Sequence, residues 1–186
     1  DVGIELDVPV CDAYRQLNAV RANAAFDWRL LMSDSIHPNM AGHKRLAGQL
    51  AQTTTGLKVS LANVPPLQPA LQQTLARITN NKPVRVLAMA PYDSMIKSAL
   101  RSRAKEVEVQ VTSWSVDGMS ISEIEQDAKK RVRASKPDLV LIAVPILATA
   151  YTDQAFASSF AWTMNWSLNF GPPTWDCVVV HPSVVE

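Results

Sequence analysis

Residues Asp34 to His43 combine the residue types and spacing of an acid–imidazole unit. Asp34 and His37 are three residues apart, and a proline and an asparagine follow the histidine directly. At this spacing the carboxylate can orient the imidazole ring and stabilise its charged form, as a general base for a serine hydroxyl requires. The pattern therefore favours a hydrolytic site. The alternative from the residues alone is a loop whose Asp caps a helix and whose His is merely polar.

The segment from Asp34 to Gln49 resembles the last sequence block of the SGNH (GDSL-type) esterases and lipases, which reads Asp-x-x-His-Pro-Asn-x-x-Gly-His. Here Gly42 and His43 extend the match beyond the ionisable pair. The resemblance implies that His37 is the general base of a catalytic triad, that Asp34 orients it, and that no cofactor takes part. In that family the block ends the domain, whereas here it lies near the start of the chain.

Residues 83–182 resemble the first two-thirds of the same family domain. Asp93-Ser94 falls where the family has Gly-Asp-Ser, and Gly118 falls where its second block has a glycine. The resemblance implies that Ser94 is the nucleophile. It also implies that the backbone N–H groups of Gly118 and of the serine form the oxyanion hole. A serine outside this chain is the alternative nucleophile.

Two departures from the family pattern put the activity in question. Pro91 lies in the turn where the family has glycine, and its ring fixes φ and removes a donor. Ser94 can then lie in the first turn of a helix and act only as a cap. After the third strand, residues 144–148 contain no amide side chain where the family has Gly-x-Asn-Asp. Because one missing oxyanion donor typically costs about 10²–10³ in rate, a non-catalytic SGNH-like module with a binding or scaffolding role is the second hypothesis.

The elements that must position these residues are clearest after residue 83. Apolar or alternating runs predict strands, and helical spacing predicts the helices between them. The predicted strands cover residues 84–89, 107–113, 139–144 and 176–181, and the predicted helices cover 94–104, 120–135 and 153–170. This alternation predicts an α/β fold, a three-layer α/β/α sandwich with a parallel sheet of about five strands. The family resemblance implies the flavodoxin-like strand order 2-1-3-4-5.

The first part of the chain is predicted to be mainly helical. Helical spacing covers residues 13–31 and 40–53, and a small helix is expected near 69–78. Residues 8–11 are predicted to form the fifth strand, at the edge of the sheet next to 176–181. If that pairing forms, the Asp34–His37 loop lies at the carboxyl edge of the same sheet.

The order of the blocks allows two domain arrangements. Residues 1–56 resemble the C-terminal third of an SGNH domain, 57–82 form a linker with a short helix, and 83–186 resemble the N-terminal two-thirds. Either one domain ends and a second, degenerate one begins, or the chain is a circular permutant that forms one composite domain, 1–186. In both cases the missing part of each sheet must come from within the chain, from a complementing chain or from a homo-oligomer, because apolar edge strands would otherwise be exposed.

Composition excludes several classes of partner. The net charge is +1, and no run rich in Lys and Arg interleaves with aromatic residues, so no nucleic-acid partner is expected. No apolar run reaches about 18 residues, so no membrane partner is expected either. The sequence begins at Asp1 without Met or a leader pattern, which leaves an upstream leader, and hence export, as an open expectation. The expected substrate is a small-molecule or carbohydrate ester.

The remaining chemically active side chains favour structural roles. Cys11 and Cys177 lack the spacing of a zinc site and lie beside apolar residues, so buried free thiols are expected, with no metal. His181 follows a predicted strand and is either structural or a second imidazole at the carboxyl edge of the sheet. Trp162 and Trp166 are four residues apart and share a helix face, which favours core packing over a stacking platform for a ligand.

Overall fold

The computed structural model describes residues 2–33, 36–65, 69–169 and 172–185, and the chain divides into two compact units, Asp1–Pro66 and Leu67–Glu186. The described part of the first unit is helical, with α1 (Val2–Glu5), α2 (Ala13–Asn23), α3 (Ala25–Leu30) and α4 (Met40–Thr55). In the second unit, α5 (Gln72–Thr79), β1 (Val84–Met89), α6 (Tyr92–Arg103), β2 (Val109–Trp114), α7 (Ile121–Ser135), β3 (Leu139–Ile142), α8 (Asp153–Ser167), β4 (Asp176–Val179) and a 3₁₀ turn (Pro182–Val184) follow one another.

The four strands of the second unit form one parallel sheet in the order β2-β1-β3-β4. This is the flavodoxin-like order that the family resemblance implied for the first four strands. In register, Met89 at the end of β1 lies opposite Trp114 at the end of β2, so the segments that follow these strands start from the same edge.

A core on each face of the sheet gives the second unit three layers. Side chains alternate between the faces along each strand. On one face Leu87 and Val140 pack with α7 and α8, and on the other Val86 and Leu141 pack with α5 and α6. The predicted α/β/α sandwich is confirmed. β3 is buried along its whole length, as an unbroken apolar run in a parallel sheet requires.

Local capping explains where two of these helices begin. Ser120 accepts a hydrogen bond from the Glu123 N–H at 3.3 Å, and Glu123 accepts from the Ser120 N–H at 2.8 Å, which is a capping box at the start of α7. Asp176, the first residue of β4, accepts from the Thr74 N–H at 2.6 Å and from the Gln73 N–H at 3.3 Å. The carboxylate thereby ties the start of α5 to the amino end of the sheet.

The predicted fifth strand over residues 8–11 is wrong. These residues belong to the first unit and have no strand conformation, and Val8 and Val10 are 54% and 57% exposed. Pro9 contributes to this outcome because it has no N–H to donate to a ladder. The predicted helix over 13–31 is interrupted at Ala24, which separates α2 from α3.

Candidate active site

The segment that carries His37 is a loop closed by backbone hydrogen bonds. Met32 and Pro38 form an isolated antiparallel bridge, and the Ser33 N–H donates to the His37 carbonyl at 2.8 Å. Met32 and Ser33 are buried, whereas His37 is exposed. Asp34, the predicted partner of His37, lies outside the described residues. Hydrogen bonds thus hold the backbone of the loop, and the His37 side chain is exposed to solvent.

Asn39 and Gly42 anchor this loop to α4. The Asn39 side chain accepts from the Ala41 and Gly42 N–H groups at 2.9 and 3.1 Å and donates to the Leu30 carbonyl at 2.9 Å. A Cβ atom at Gly42 would lie 2.3 Å from the Leu31 carbonyl oxygen and 2.8 Å from the Pro38 Cβ, so only glycine fits there. In the sequence, Asn39 and Gly42 indicated only a family resemblance, and their structural role was not predicted.

Ser94 lies in the first turn of α6, directly after the carboxyl end of β1. It is exposed, and its Oγ donates to the Pro91 carbonyl at 2.7 Å, while its N–H donates to the Asp93 carboxylate at 2.9 Å. Asp93 also accepts a hydrogen bond from the Ser113 hydroxyl of β2. The hydroxyl of Ser94 is therefore engaged in a local bond to the Pro91 carbonyl, and α6 has no side-chain cap hydrogen bond among the described residues.

Gly118 lies in the turn after β2, with φ +72° and no atom within 4 Å of where a Cβ would be. The positive φ favours glycine there. Ser94 and Gly118 both follow the carboxyl ends of neighbouring strands. His37 lies in the first unit and the other two residues lie in the second.

The segment after β3 supplies apolar groups where the resemblance calls for an amide. Ala143 and Val144 are completely buried, and the Ala143 N–H donates to the Met89 Sδ at 3.2 Å. Residues 143–149 contain no Asn or Gln. The side-chain oxyanion donor of the family thus has no counterpart at this position.

His181 follows β4, and its Nδ1 lies 2.8 Å from the Ser183 Oγ and accepts from the Ser183 N–H at 3.2 Å. The histidine caps the 3₁₀ turn and, together with Ser183, lines a cavity at this edge of the sheet. Asp176 is at the opposite end of β4 and caps α5, so it does not orient His181. This cavity was not predicted, because its walls come from segments separated by about a helix and a strand.

The tryptophan pair of α8 packs against its neighbours. Trp162 is 7% exposed, and its ring centroid is 5.3 Å from that of Trp166. The Lys129 Nζ and the Arg133 Cζ, both from α7, lie 4.8 and 5.8 Å from the Trp166 centroid. The pair thus forms part of the contact between α7 and α8.

A buried carboxylate with two arginine partners lies at the other edge of the sheet. Asp138, directly before β3, is 3% exposed and accepts from Arg85 through two side-chain bonds of 3.0 and 3.1 Å, with Arg77 at 3.1 Å. Burial opposes ionisation most, but the hydrogen bonds from Arg85 and the two positive charges together outweigh it and lower the pKa of Asp138. This cluster joins β1, α5 and β3 and is remote in the topology from Ser94.

The Cys177 thiol is not a nucleophile at neutral pH. Burial, with a smaller effect from the Asp176 charge, raises the pKa of Cys177 to about 12. Within the described ranges, no group of three or more His, Cys, Asp or Glu side chains is placed to hold a metal ion. Of the helices that the structure describes, none is long and apolar enough to cross a membrane.

Comparisons with known proteins returned no match, whether with protein-family models, with curated proteins or with solved structures.

Proposed function

We propose that this chain contributes to a serine ester hydrolase of the SGNH type, in which His37 is the general base and Asp34 orients it. The observation that carries the proposal is the closed loop: the Ser33–His37 hydrogen bond and the Asn39 cap hold the backbone on both sides of an exposed His37 side chain, beside the start of α4. A general base must be accessible to the substrate. The exposure of His37 on a hydrogen-bonded loop supports that role.

The proposed reaction is acyl transfer to a serine followed by hydrolysis. His37 takes the proton from the serine hydroxyl as the oxygen attacks the ester carbonyl, and it then returns that proton to the departing alcohol. Water, deprotonated by the same imidazole, hydrolyses the acyl-enzyme. Backbone N–H groups, including that of Gly118, stabilise the oxyanion. The substrate class is a small-molecule or carbohydrate ester.

The nucleophile in this proposal is Ser94 or a serine supplied from outside this chain. Ser94 follows β1, where the family resemblance requires it, but its hydroxyl must give up the 2.7 Å bond to Pro91 to attack. The missing amide after β3 further weakens the oxyanion hole. We therefore expect slow hydrolysis when the chain acts alone. A complementing chain or a second copy that supplies the serine would raise the rate.

The test is hydrolysis of p-nitrophenyl acetate, with covalent labelling by a fluorophosphonate followed by mass spectrometry of the labelled peptide. We expect His37→Ala to lower the rate by about 10²–10⁴, the usual contribution of a general base. The matched control is His43→Ala, which removes the other exposed imidazole of the same unit and should leave the rate unchanged. Equal effects of the two substitutions would refute the role of His37.

The identity of the nucleophile is decided by the labelled residue. Loss of both labelling and turnover in Ser94→Ala assigns the role to Ser94. Turnover that survives Ser94→Ala but not His37→Ala assigns it to another serine, which the mass spectrum then identifies.

A specific observation favours the second candidate function, a non-catalytic SGNH-like module with a binding or scaffolding role. The Ser94 hydroxyl is engaged by Pro91, and the segment after β3 buries Ala143 and Val144 in place of an amide. Both features lie in parts of the second unit that catalysis would need. Absence of labelling and of turnover, with an unchanged fold by circular dichroism, supports this candidate.

A further inference from the structure

The second unit contains a cavity of about 570 Å³ at the carboxyl ends of β3 and β4. Its walls come from the segment after β3, from the first turns of α8 and from the segment after β4. Cavities that bind small molecules in proteins usually have volumes of about 300–1,000 Å³, and in open α/β sheets they lie at this edge. Size and position therefore both fit a ligand site.

One wall of the cavity is aromatic and flat. Phe156 and Phe160 are one turn apart on α8, with ring centroids 6.2 Å apart and ring planes inclined by only 13°. Both rings are half-buried and pack on the core behind them, which limits their motion. Such a wall matches a flat apolar group of a ligand, because aromatic contacts depend on the relative orientation of the rings.

The cavity is also lined by hydrogen-bonding groups. The Nδ1 atom of His181 accepts from the Ser183 N–H, so the neutral ring carries its proton on Nε2 and the Ser183 hydroxyl is 2.8 Å from Nδ1. Thr152 accepts from the Ala155 N–H at 3.0 Å through its hydroxyl oxygen, and its own proton is available to a ligand oxygen. Asp153 adds a carboxylate acceptor. Donors and an acceptor are thus present together.

The charges of the lining disfavour an anion. Among the described residues that line the cavity, Asp153 is the one carboxylate, and neither Lys nor Arg is present. A negatively charged ligand would be repelled by Asp153, whereas a neutral group that both donates and accepts would satisfy the carboxylate and a hydroxyl together.

From these observations we propose that this cavity binds a small neutral molecule that combines one flat apolar group with an amide or hydroxyl head. The apolar group contacts Phe156 and Phe160, and the head donates to Asp153 and accepts from the Thr152 hydroxyl. This binding activity goes beyond the proposed hydrolase, because neither His37 nor Ser94 takes part in it.

Two isosteric probes test the proposal by NMR on the whole chain. Benzamide is neutral and has a donor–acceptor head, whereas benzoate has the same shape and a negative charge. Benzamide should move the backbone amide resonances of residues 146–157 and of His181 and Ser183, with a Kd on the order of millimolar for so small a ligand. Benzoate should bind at least about threefold more weakly, and Asp153→Asn should narrow that difference.

The decisive variant fills the cavity with a large side chain. Ala157 lines the cavity and is exposed on α8, so Ala157→Trp places an indole in the cavity without removing a core side chain. It should weaken benzamide binding at least about fivefold. The matched control is Gln154→Trp, at an exposed position of the same helix outside the cavity, which should leave binding unchanged. The proposal is overturned if benzamide moves no resonance in these segments, if Ala157→Trp binds it as the wild type does, or if benzoate binds as tightly as benzamide.

Discussion

The two units of this chain differ: the most specific sequence pattern lies in the first unit, and most of the buried side chains lie in the second. The first unit carries the Asp34–His43 segment, but among its described side chains only Met32 and Ser33 are buried. The second unit has a core on each face of its sheet, yet where its sequence resembles the SGNH blocks it departs from their pattern at Pro91 and after β3. A recognisable site motif and a well-packed core are thus separable, because packing selects for apolar volume and chemistry selects for a few polar groups.

The largest effect is expected from truncating a core side chain of the second unit. Leu87 in β1 is 1% exposed, so Leu87→Ala should lower the free energy of unfolding by about 2–5 kcal/mol. Leu50→Ala in the first unit, where the side chain is 53% exposed, should change it by less than about 0.5 kcal/mol. Urea denaturation followed by helical circular dichroism measures both. A comparable loss in the two variants would show that the first unit relies equally on apolar burial.

A smaller, pH-dependent decrease in the free energy of unfolding is expected from Asp138→Asn. Its carboxylate holds two arginines whose side chains are 47% and 30% exposed, so water can solvate them once the acid is removed. We expect a loss of about 1–3 kcal/mol at neutral pH. The matched control is Asp117→Asn, an exposed carboxylate in the turn after β2, which should have little effect.

The pH profile of this difference follows from the lowered pKa of Asp138. A carboxylate with a folded-state pKa below its ordinary value of 3.8 stabilises the protein above that value. The stabilisation decreases as the pH falls below 3.8 and through the folded-state pKa. The difference between wild type and Asp138→Asn should therefore shrink in acid. A difference independent of pH would contradict the assignment.

Gly42→Ala should destabilise the first unit by about 1–3 kcal/mol. Alanine normally favours a helix interior over glycine, but here the added Cβ would meet the Leu31 carbonyl oxygen and Pro38 at distances that no Cβ adopts. The loop must then shift, which should also move the backbone amide resonances of Ser33 and His37. Ala47→Ser, on the exposed face of the same helix, serves as the control. A stabilised Gly42→Ala variant would show that α4 is not held against the loop.

The smallest effect concerns the start of α7. Ser120→Ala removes the capping box and should lower the free energy of unfolding by about 1 kcal/mol. Ser122→Ala, inside the first turn, should lower it by less. Denaturation of the two variants under the same conditions distinguishes them. Equal losses would mean that the hydroxyl contact between the two serines, at 3.2 Å, matters as much as the cap.

The periodicity of the sequence was sufficient for the second unit and insufficient for the first. Val84–Met89 was predicted to the residue, and the order of the four strands agrees with the order that the family resemblance implied. The strands were predictable because each buried strand is a local apolar run with helices at regular spacing. Residues 8–11 had a similar apolar run, and yet they form no strand. Strand formation depends on a partner that local sequence does not specify.

For the candidate site, the residue types determined which chemistry was worth considering, and the tertiary structure determined the environment of each group. His37 was singled out by the sequence block around it, whereas the closed loop depends on contacts of Asn39 and Gly42 with α3 and the residue after it. The cavity beside His181 likewise depends on the tertiary structure. The physical reason is that spacing along the chain fixes only local neighbours, whereas hydrogen-bond partners and cavity walls come from segments that folding alone brings together.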